Sequence, residues 1–475
     1  MRNSLKAALM FSAALVISSC SKKDDDNNNN NNNQPTLVEL TGDLTTRTLT
    51  ADKKYLLKGQ VFVRNGQTLT IEPGTVIFGD RRTRGTLIID RGGRIIALGT
   101  ATKPIVFTSG VEEGLRDRGD WGGLVILGNA ACNQVDPTIE GIDPPVYFGA
   151  NPANNNSAKT ANNTESSGEL RYVRVEFAGI ELSPNNETNS ITMGGVGSGT
   201  IMEYCMVSFG GDDGFEWFGG TNNGKYLISF AMWDDDFDID FGWSGNVQFG
   251  IAVRYPGYAD QSGSNGIETD NGPNDNDVQP YTNGVLSNIT IVGPIKSGSS
   301  ISNANFQHCI DARRRTALSI FNSVFTGFPR GLRYNQPSVL TNYQNGTGVL
   351  ANNILIAPGN ANRYFAGTGM SADSVRTNWE ANNQTFNVIS DSTHNHWGLN
   401  PNVFFGNRLP NQYSGATFTI ATGKPLLTGA SFSNAKFNEA TRTNFFDKNV
   451  TFRGAFGTTD WTAGWAEFNP IDKKY

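Results

Sequence analysis

The sequence predicts an all-β fold, a right-handed parallel β-helix with long loops and a C-terminal capping region. Short β-branched runs recur at intervals of roughly 20 to 30 residues, which is the length of one β-helix coil. Glycine, with 54 of the 475 residues, separates these runs, and segments with a helical period are nearly absent. A β-sandwich array or a propeller would instead show alternating strands at spacings of about 8 to 12 residues.

The chain begins with the pattern of a secretory signal peptide, at residues 1–19. Arg2 and Lys6 precede an apolar stretch at 7–17 that is too short to span a bilayer. The sequence Ile-Ser-Ser-Cys that ends at Cys20 resembles the bacterial lipobox, in which the cysteine carries the acyl chains. This resemblance implies lipidation of Cys20 and a lipid anchor in the membrane.

The next segment, residues 20–36, predicts a flexible tether, because three Asp at 24–26 and seven Asn at 27–33 cannot build a core. An acidic run directly after the cysteine resembles the surface-export signal of Bacteroidota lipoproteins. The resemblance implies a lipid-anchored outer-membrane protein that is exposed on the cell surface. No later run reaches the roughly 18 apolar residues of a membrane span, so we expect no transmembrane helix in the mature chain.

The charge balance argues against a nucleic-acid partner. The chain has 38 Lys and Arg against 44 Asp and Glu, a formal net charge of −6. Proteins that bind nucleic acids through their phosphates carry an excess of basic residues. Three cysteines remain after Cys20, and an odd number cannot all pair within one chain. Two of them, Cys205 and Cys309, lie in apolar strand-like contexts that are typical of buried thiols, and the third is Cys132.

The repeats that predict the β-helix extend over residues 37–358. The segment 68–78 is echoed eighteen residues later by 86–96, with Leu69 in the position of Leu87. Each copy has the pattern of a strand, a tight turn with glycine and a second strand. Because one coil cannot bury its own apolar face, we expect the coils to stack about 4.8 Å apart around a shared core.

Asparagine recurs at one position of the later repeats. Asn288, Asn322 and Asn353 each precede a short apolar run, at spacings of 34 and 31 residues. We expect these side chains to stack at one corner of the coils as a hydrogen-bonded ladder. Polar segments at 136–169 and 258–281 predict projecting loops, and residues 359–475 predict final coils and a capping segment that covers the open end.

Several glycine-rich and acidic motifs resemble a family of bacterial outer-membrane lipoproteins that carry a pectate-lyase-like β-helix. The resemblance covers the chain from about residue 37 to its end. It implies the fold and the location, but no activity, because the role of that family is not established. The motifs lie at residues 119–123, 194–200, 210–215, 234–238, 452–457 and 461–465.

Acidic residues concentrate between positions 212 and 240, where the sequence has seven Asp and one Glu but only one lysine. A shift of 22 residues places Asp213 over Asp235 and Glu216 over Asp238. Carboxylates this close repel one another unless they are protonated, hydrated or bridged by a cation. Calcium binds six to eight oxygens in tolerant geometry, so we expect a calcium site, with a solvated acidic turn as the alternative. The candidate ligands are Asp212, Asp213, Glu216, Asp234, Asp235, Asp236, Asp238 and Asp240.

Aromatic residues in and beside the acidic stretch are candidates for sugar binding. A flat ring stacks on the apolar face of a pyranose while neighbouring polar groups bind its hydroxyls. The alternative is that these rings fill the interior of the coils. The candidates are Trp217, Trp233, Trp243 and Tyr255.

Two enzyme classes use similar residues. The pair Asp212-Asp213 faintly resembles the adjacent aspartates of polygalacturonases, which act as general acid and base, but the other motifs of that family are missing. A polysaccharide lyase needs bound calcium and an arginine base. Arginines at 313–315, 330 and 333 follow Asp311, although surface arginines more often form salt bridges. No catalytic residue is therefore assigned.

We therefore expect a lipid-anchored surface protein that binds or adheres to a polysaccharide or another surface polymer without catalysis. Calcium is the only cofactor that the sequence suggests. One alternative is a polysaccharide lyase or glycoside hydrolase that uses the acidic cluster at 212–240. The other is a structural component of an outer-membrane protein complex, since the flank of a solenoid is a good docking surface.

Overall fold

The computed structural model describes residues 36–183, 186–296, 303–356, 362–386, 391–405 and 418–475. Residues 36–475 form one compact unit. The predicted signal peptide, the lipidated Cys20 and the tether lie outside the described residues. None of the helices in the described part of the chain has the length and apolar character that crossing a bilayer requires.

Strands dominate the structure, because β-branched and aromatic runs alternate with turn-forming glycines throughout. The first strands are β1 (Leu37–Leu44), β2 (Arg47–Leu49), β3 (Lys54–Val63), β4 (Thr68–Ile71), β5 (Val76–Gly79), β6 (Thr86–Ile89), β7 (Arg94–Leu98), β8 (Ile105–Ser109), β9 (Leu124–Leu127), β10 (Gly168–Glu176), β11 (Glu181–Ser183), β12 (Asn186–Glu187), β13 (Ile191–Gly194) and β14 (Ile201–Ser208). The others are β15 (Phe215–Phe218), β16 (Asn223–Phe230), β17 (Phe237–Asp240), β18 (Asn246–Val253), β19 (Ile267–Thr269), β20 (Val285–Val292), β21 (His308–Ala312), β22 (Ser319–Phe321), β23 (Val324–Thr326), β24 (Arg330–Tyr334), β25 (Leu350–Ala351), β26 (Ile354–Ile356), β27 (Tyr364–Ala366) and β28 (Gln384–Phe386).

The strands wind into a right-handed parallel β-helix, as predicted. Among the strands in the described residues, all pairings are parallel except that of the short hairpin β11–β12. Three faces run along the axis. The first contains β2, β4, β7 and the starts of the long strands from β10 to β20, and the second contains the ends of those strands with β5 and β8. The third face is the stack β6, β9, β13, β15, β17, β19, β21, β24 and β27.

The eighteen-residue echo does not describe neighbouring coils. Leu69 pairs with Ile95, 26 residues further along, and Leu87 pairs with Val61. The echoed strands β4 and β6 therefore lie on two different faces. Each face of a coil repeats the same strand and turn pattern, so the sequence shows a similarity between faces that is shorter than one full coil.

The corner between the first and second faces is a column of residues in the left-handed conformation. Their φ angles lie between 50° and 64°. The predicted step from Asn288 to Asn322 is confirmed, but the next residue in the column is Asn352, so the predicted alignment with Asn353 is wrong by one residue. Asparagine tolerates this conformation better than most residues. The column is Tyr172, Tyr204, Tyr226, Phe249, Asn288, Asn322 and Asn352.

An asparagine ladder nevertheless forms beside this corner. The Asn353 side-chain amide donates to the backbone oxygen of Ile320 and to Oδ1 of Asn383, at 2.7 and 2.9 Å. Its own Oδ1 accepts from the backbone N–H of Ser323 at 2.9 Å. The amides therefore hold three successive coils together in the buried interior, as a ladder of this type is expected to do.

The interior of the coils is a continuous apolar core. It contains Cys205 and Cys309, which confirms the prediction of buried thiols at these two positions. Cys132 is buried as well, in a smaller cluster under the loop that follows β9. All three thiols are free. Burial raises the pKa of Cys132 and Cys309 to about 12, so neither is a reactive thiolate at neutral pH.

One segment differs from its predicted role as a projecting loop. The predicted loop at 258–281 contains strand β19, which belongs to the third face. Parallel pairing continues to β28. The last part of the chain then lies along the flank of the coils, where the Phe452 oxygen accepts from Asn288 and the Lys473 oxygen accepts from Arg116. The helices are α1 (Pro337–Gln344), α2 (Ala372–Glu380) and α3 (Asp391–Trp397), with short 3-10 turns at Pro401–Val403, Pro425–Leu427 and Ala435–Asn438.

Candidate cation-binding face

Four carboxylates from successive coils stand in one line on the outside of the third face. In each strand the residues on either side of the acid point into the core, so the acid lies on the outer side of the sheet. Glu216 pairs with Asp238, Asp238 with Glu268, and Glu268 with Asp311. The predicted 22-residue register is therefore confirmed. We call these four residues the acid row.

A second line of polar side chains runs beside the acid row, in the turns that precede the strands. The backbone N–H of Asp235 donates to Oδ1 of Asp213 at 2.7 Å, and the backbone N–H of Asn265 donates to a carboxylate oxygen of Asp235. Each aspartate thus fixes the turn of the next coil. Asp213 and Asp235 lie in adjacent layers, as the sequence predicted.

The two lines bring carboxylate oxygens within reach of a common ion. In three groups, one oxygen from each of three residues lies within 4.8 Å of the others. Oxygens at this separation match the donor set of a hard divalent cation. The groups are Asp212 with Asp213 and Asp234, Asp213 with Glu216 and Asp238, and Asp235 with Asp238 and Glu268. We call these residues, together with the rest of the acid row, the acidic face.

Three of these carboxylates, those of Asp213, Glu216 and Asp235, are buried without an ion-pair partner. Asp213 and Glu216 are each 7 % exposed and Asp235 is 3 % exposed. Among the described residues, no Lys, Arg or His nitrogen lies within 4.0 Å of their oxygens. Lys225, the one lysine between positions 212 and 240, instead lies over the ring of Phe445. A solvated acidic turn would not exclude water in this way, so the burial argues against that alternative.

The burial and mutual repulsion of these acids change their protonation. Burial, together with the neighbouring carboxylates, raises the pKa of Asp213, Glu216 and Asp235 well above the usual values. The same causes, burial first, raise the pKa of Asp238 to about 7. Without a counterion the face must therefore hold protons near neutral pH, and a bound cation would release them.

Arginines neutralise the other end of the acid row. Arg313 forms ion pairs with Glu268 and Asp270, and Arg314 pairs with Asp270 at 2.8 Å. Nε of Arg333 donates to Asp311 at 2.7 Å. These arginines thus form salt bridges, the alternative to a catalytic base that the sequence left open. The acid row therefore changes from unpaired acids at Glu216 and Asp238 to paired acids at Asp311.

Two of the predicted metal ligands lie elsewhere. Asp236 points into the interior, where it is 0 % exposed, accepts from Ser229 Oγ at 2.7 Å and lies 3.3 Å from Arg254. Its prediction as a ligand is wrong, because it lies in the turn before β17, where the buried guanidinium of Arg254 pairs with it in the interior. Asp240 is on the outside but belongs to none of the three groups within the described residues, and it faces Asp270 instead.

The predicted aromatic sugar-binding strip does not form. Trp217 and Trp243 are both 0 % exposed and pack in the core, so their prediction as ligand-binding residues is wrong. Trp217 fills the interior because it shares the inward parity of Phe215 in β15, and Trp243, in the turn after β17, packs on its ring at 5.4 Å. Trp233 and Tyr255 are half-buried. The guanidinium of Arg118 lies 3.6 Å from the centre of the Trp233 ring, and Tyr255 packs edge-on against Phe405.

Sequence reasoning missed Glu268 and Asp270, because they lie in the stretch that was predicted to be a loop. A signal for Glu268 was present. In four strands of the third face, an apolar residue that points inward is followed by an acid that points outward. The pairs are Phe215-Glu216, Phe237-Asp238, Ile267-Glu268 and Ile310-Asp311. Unequal coil lengths hide this repeat, because the spacing between successive acids changes from one coil to the next.

A model of the pectate-lyase-like β-helix domain family matches residues 42–400. None of the curated proteins matches this sequence. The match covers most of the chain, including all strands of the acidic face, and it agrees with the parallel winding described above. The chain therefore belongs to the family of pectate-lyase-like β-helix domains.

Proposed function

We propose that this protein is anchored through a lipid at Cys20 on the outer-membrane surface and binds a polysaccharide through divalent cations held on its acidic face. The single observation that carries the proposal is the set of carboxylates without ion-pair partners at Asp213, Glu216, Asp235 and Asp238, of which the first three are buried and the fourth is half-buried. A buried charge is stable only when it is paired, protonated or bound to a metal.

Calcium suits this donor set better than magnesium or zinc. The groups offer only oxygen, and Asp238 belongs to two of the three groups. Calcium accepts six to eight oxygens in variable geometry, whereas magnesium requires a near-ideal octahedron and zinc prefers nitrogen and sulfur. Three carboxylates leave coordination positions free for hydroxyl or carboxylate oxygens of a sugar. The bound ion would thus serve as the contact between protein and polymer.

The repetition of the face suits a repeating ligand. The acid row extends over four coils, from Glu216 to Asp311, at steps of about 4.8 Å. A polymer lying along the axis would meet carboxylate oxygens at each step, and arginines beside them at Glu268 and Asp311. The oxygens of Asp213, Glu216 and Asp238 lie less than 5 Å apart. The two catalytic carboxyl groups of an inverting hydrolase lie roughly 6.5 to 9.5 Å apart, which leaves room for a water molecule between them. We therefore favour binding over hydrolysis.

The proposal is tested by metal and glycan binding to the purified protein with Cys20→Ser, which removes the lipid. Calorimetry on chelator-treated protein should detect calcium binding with proton release, since occupied carboxylates must be ionised. A glycan array, run once with calcium and once with chelator, should show binding only with calcium. Glu113→Gln serves as the matched control, because Glu113 is an exposed acid outside the acidic face.

Each other outcome assigns a different role. The absence of calcium binding, together with an unchanged melting temperature in chelator, would remove the cation from the proposal. Calcium binding with a uniformly negative array would favour a structural component of an envelope complex. Release of unsaturated uronides or reducing ends from pectin or alginate would identify a lyase or a hydrolase.

A further inference from the structure

A groove of about 520 Å³ lies on the other side of the β-helix, at the left-handed corner between the first and second faces. Its floor is made of Tyr204, Tyr226 and Phe249, from strands β14, β16 and β18. The opposite wall comes from the C-terminal segment, with Phe452 and Trp461. None of these residues belongs to the acidic face.

The floor is a stack of parallel rings. The ring centres of Tyr204 and Tyr226 are 4.4 Å apart and those of Tyr226 and Phe249 are 5.0 Å apart, with interplanar angles of 7° and 19°. Trp461 meets Tyr226 at 63° and stacks on Phe456 at 4.8 Å. The rings hold one another in place from two directions, so the groove is preformed and a ligand needs little reorganisation to bind.

The rim of the groove is polar. Asp447 lines it, and the carboxylate of Asp447 accepts only the backbone N–H of Asn449, at 3.0 Å, with no cation within 4.0 Å among the described residues. The carboxylate therefore retains acceptor capacity toward the groove. Three threonines, Thr451, Thr458 and Thr459, are exposed at the same rim. Aromatic walls with a few hydroxyl and carboxylate groups are typical of ligand sites of about 300 to 1,000 Å³.

We propose that this groove is a second carbohydrate-binding site, which takes neutral sugar rings without a metal ion. A pyranose presents C–H groups to the aromatic walls and hydroxyl donors to Asp447 and the threonines. An acyl chain would contact the walls equally well but would offer no hydroxyl to the remaining acceptor positions of the Asp447 carboxylate, and covering them without a donor costs free energy. The site goes beyond the cation-dependent binding proposed above and does not depend on it.

The test uses tryptophan fluorescence and calorimetry on the purified protein in chelator, with four probes: cellohexaose, mannohexaose, xylohexaose and chitohexaose. At least one should bind. Tyr226→Ala should weaken that binding about tenfold, which corresponds to about 1.4 kcal/mol, and Asp447→Asn should weaken it measurably. Tyr172→Ala is the matched control, because Tyr172 belongs to the same ring stack but does not line the groove.

Because Tyr226→Ala removes a packed ring, its melting temperature is measured in parallel, and Asp447→Asn tests the site independently of that packing. The proposal is overturned if none of the four hexasaccharides binds in chelator, or if Asp447→Asn and Tyr226→Ala bind as tightly as the control. Binding of decanoate without binding of any sugar would assign the groove to a lipid. Loss of sugar binding only on chelation would assign the sugar to the acidic face instead.

Discussion

Asp238 is the residue on which most of the acidic face depends. It belongs to two of the three carboxylate groups, and one of its oxygens is buried without a hydrogen-bond partner. We expect Asp238→Asn to weaken calcium binding at least tenfold, because it removes a shared ligand. In chelator the same variant should be more stable than the parent by about 1 to 2 kcal/mol, since a neutral amide can donate to Glu216 and Glu268.

Calorimetry and urea unfolding measure these two effects of Asp238→Asn. Glu113→Gln is the control for removing one negative charge from an exposed position. If Asp238→Asn binds calcium as tightly as the control, the ion does not lie on the acid row. A loss of stability in chelator would contradict the inference that uncompensated charge destabilises this face.

Tyr475 is the second residue whose environment predicts a measurable effect. Its hydroxyl donates to the carboxylate of Glu176 at 2.7 Å and accepts from Arg174 at 3.1 Å, and Glu176 is 0 % exposed. Tyr475→Phe would leave a buried carboxylate short of a donor, so we expect a loss of about 1 to 3 kcal/mol in the free energy of unfolding. Urea denaturation measures it, with Tyr147→Phe as control. Equal stability of the two variants would contradict this role.

The sequence could not separate ligands from core residues at the level of single side chains. Trp217 and Glu216 are neighbours in the chain, but strand alternation sends one into the core and the other outside. Asp236 is acidic like its neighbours, and only the buried Arg254, which lies eighteen positions away in the chain, shows that it is an interior ion pair. Composition identified the region, and the parity of each strand decided the role of each residue.

At the level of elements, the acidic face predicts an unusual dependence of stability on pH. The folded pKa of Asp238 is raised from 3.8 to about 7, so in chelator the folded state binds more protons than the unfolded state between these values. Stability should therefore fall as the pH rises through this window. We expect a lower melting temperature at about pH 8 than at about pH 5, and saturating calcium should reduce the difference.

Differential scanning calorimetry at these two pH values, with chelator and with calcium, measures the effect. The comparison with Asp238→Asn isolates the contribution of the acid row, since that variant should show a weaker dependence on pH. A melting temperature that rises steadily from pH 5 to pH 8 in chelator would mean that the carboxylates are solvated in solution.

The asparagine ladder gives a second prediction at this scale. Asn353 connects Ser323, Ile320 and Asn383, and it is 0 % exposed. Asn353→Ala would remove the side-chain partner of two backbone groups in the preceding coil, those of Ile320 and Ser323, and the bond to Asn383 in the next coil, so we expect a loss of about 2 to 3 kcal/mol. Urea unfolding measures it against Asn156→Ala, an exposed position. A loss below about 0.5 kcal/mol would show that water replaces the amide.

The elements could be predicted in so far as their spacing was regular. The coils from Phe215 to Asp240 share a 22-residue period, and their register followed directly from the sequence. Strand β19 was missed because a polar insertion separates it from β17, and a short strand inside such an insertion has no period to mark it. The full extent of the acid row depended on that strand.

Across the whole molecule, the C-terminal segment connects coils that are distant in the chain. Arg442 donates to Asn246 at 3.1 Å, Phe452 accepts from Asn288 and Tyr475 bonds to Glu176. The sequence predicted that this segment wraps or caps the open end, and these contacts lie along the flank of the coils. A period-based argument cannot place a segment that has no period, and the aromatic residues of the segment were its only signal.

The position of this segment predicts the effect of its removal. Deletion of residues 425–475 would uncover the rings of Tyr204 and Tyr226 and leave the buried Glu176 without its tyrosine partner. We expect a lower melting temperature, binding of a hydrophobic dye and aggregation, because the deletion exposes a continuous apolar flank.

The same deletion should abolish sugar binding in the aromatic groove while calcium binding persists, since the acidic face lies on other strands. Calorimetry, dye fluorescence and light scattering measure these effects, with Tyr475→Phe as the reference for the loss of one hydroxyl. A deletion that costs no more stability than Tyr475→Phe would mean that the packing of Trp461 and Trp465 on the coils contributes nothing to the fold.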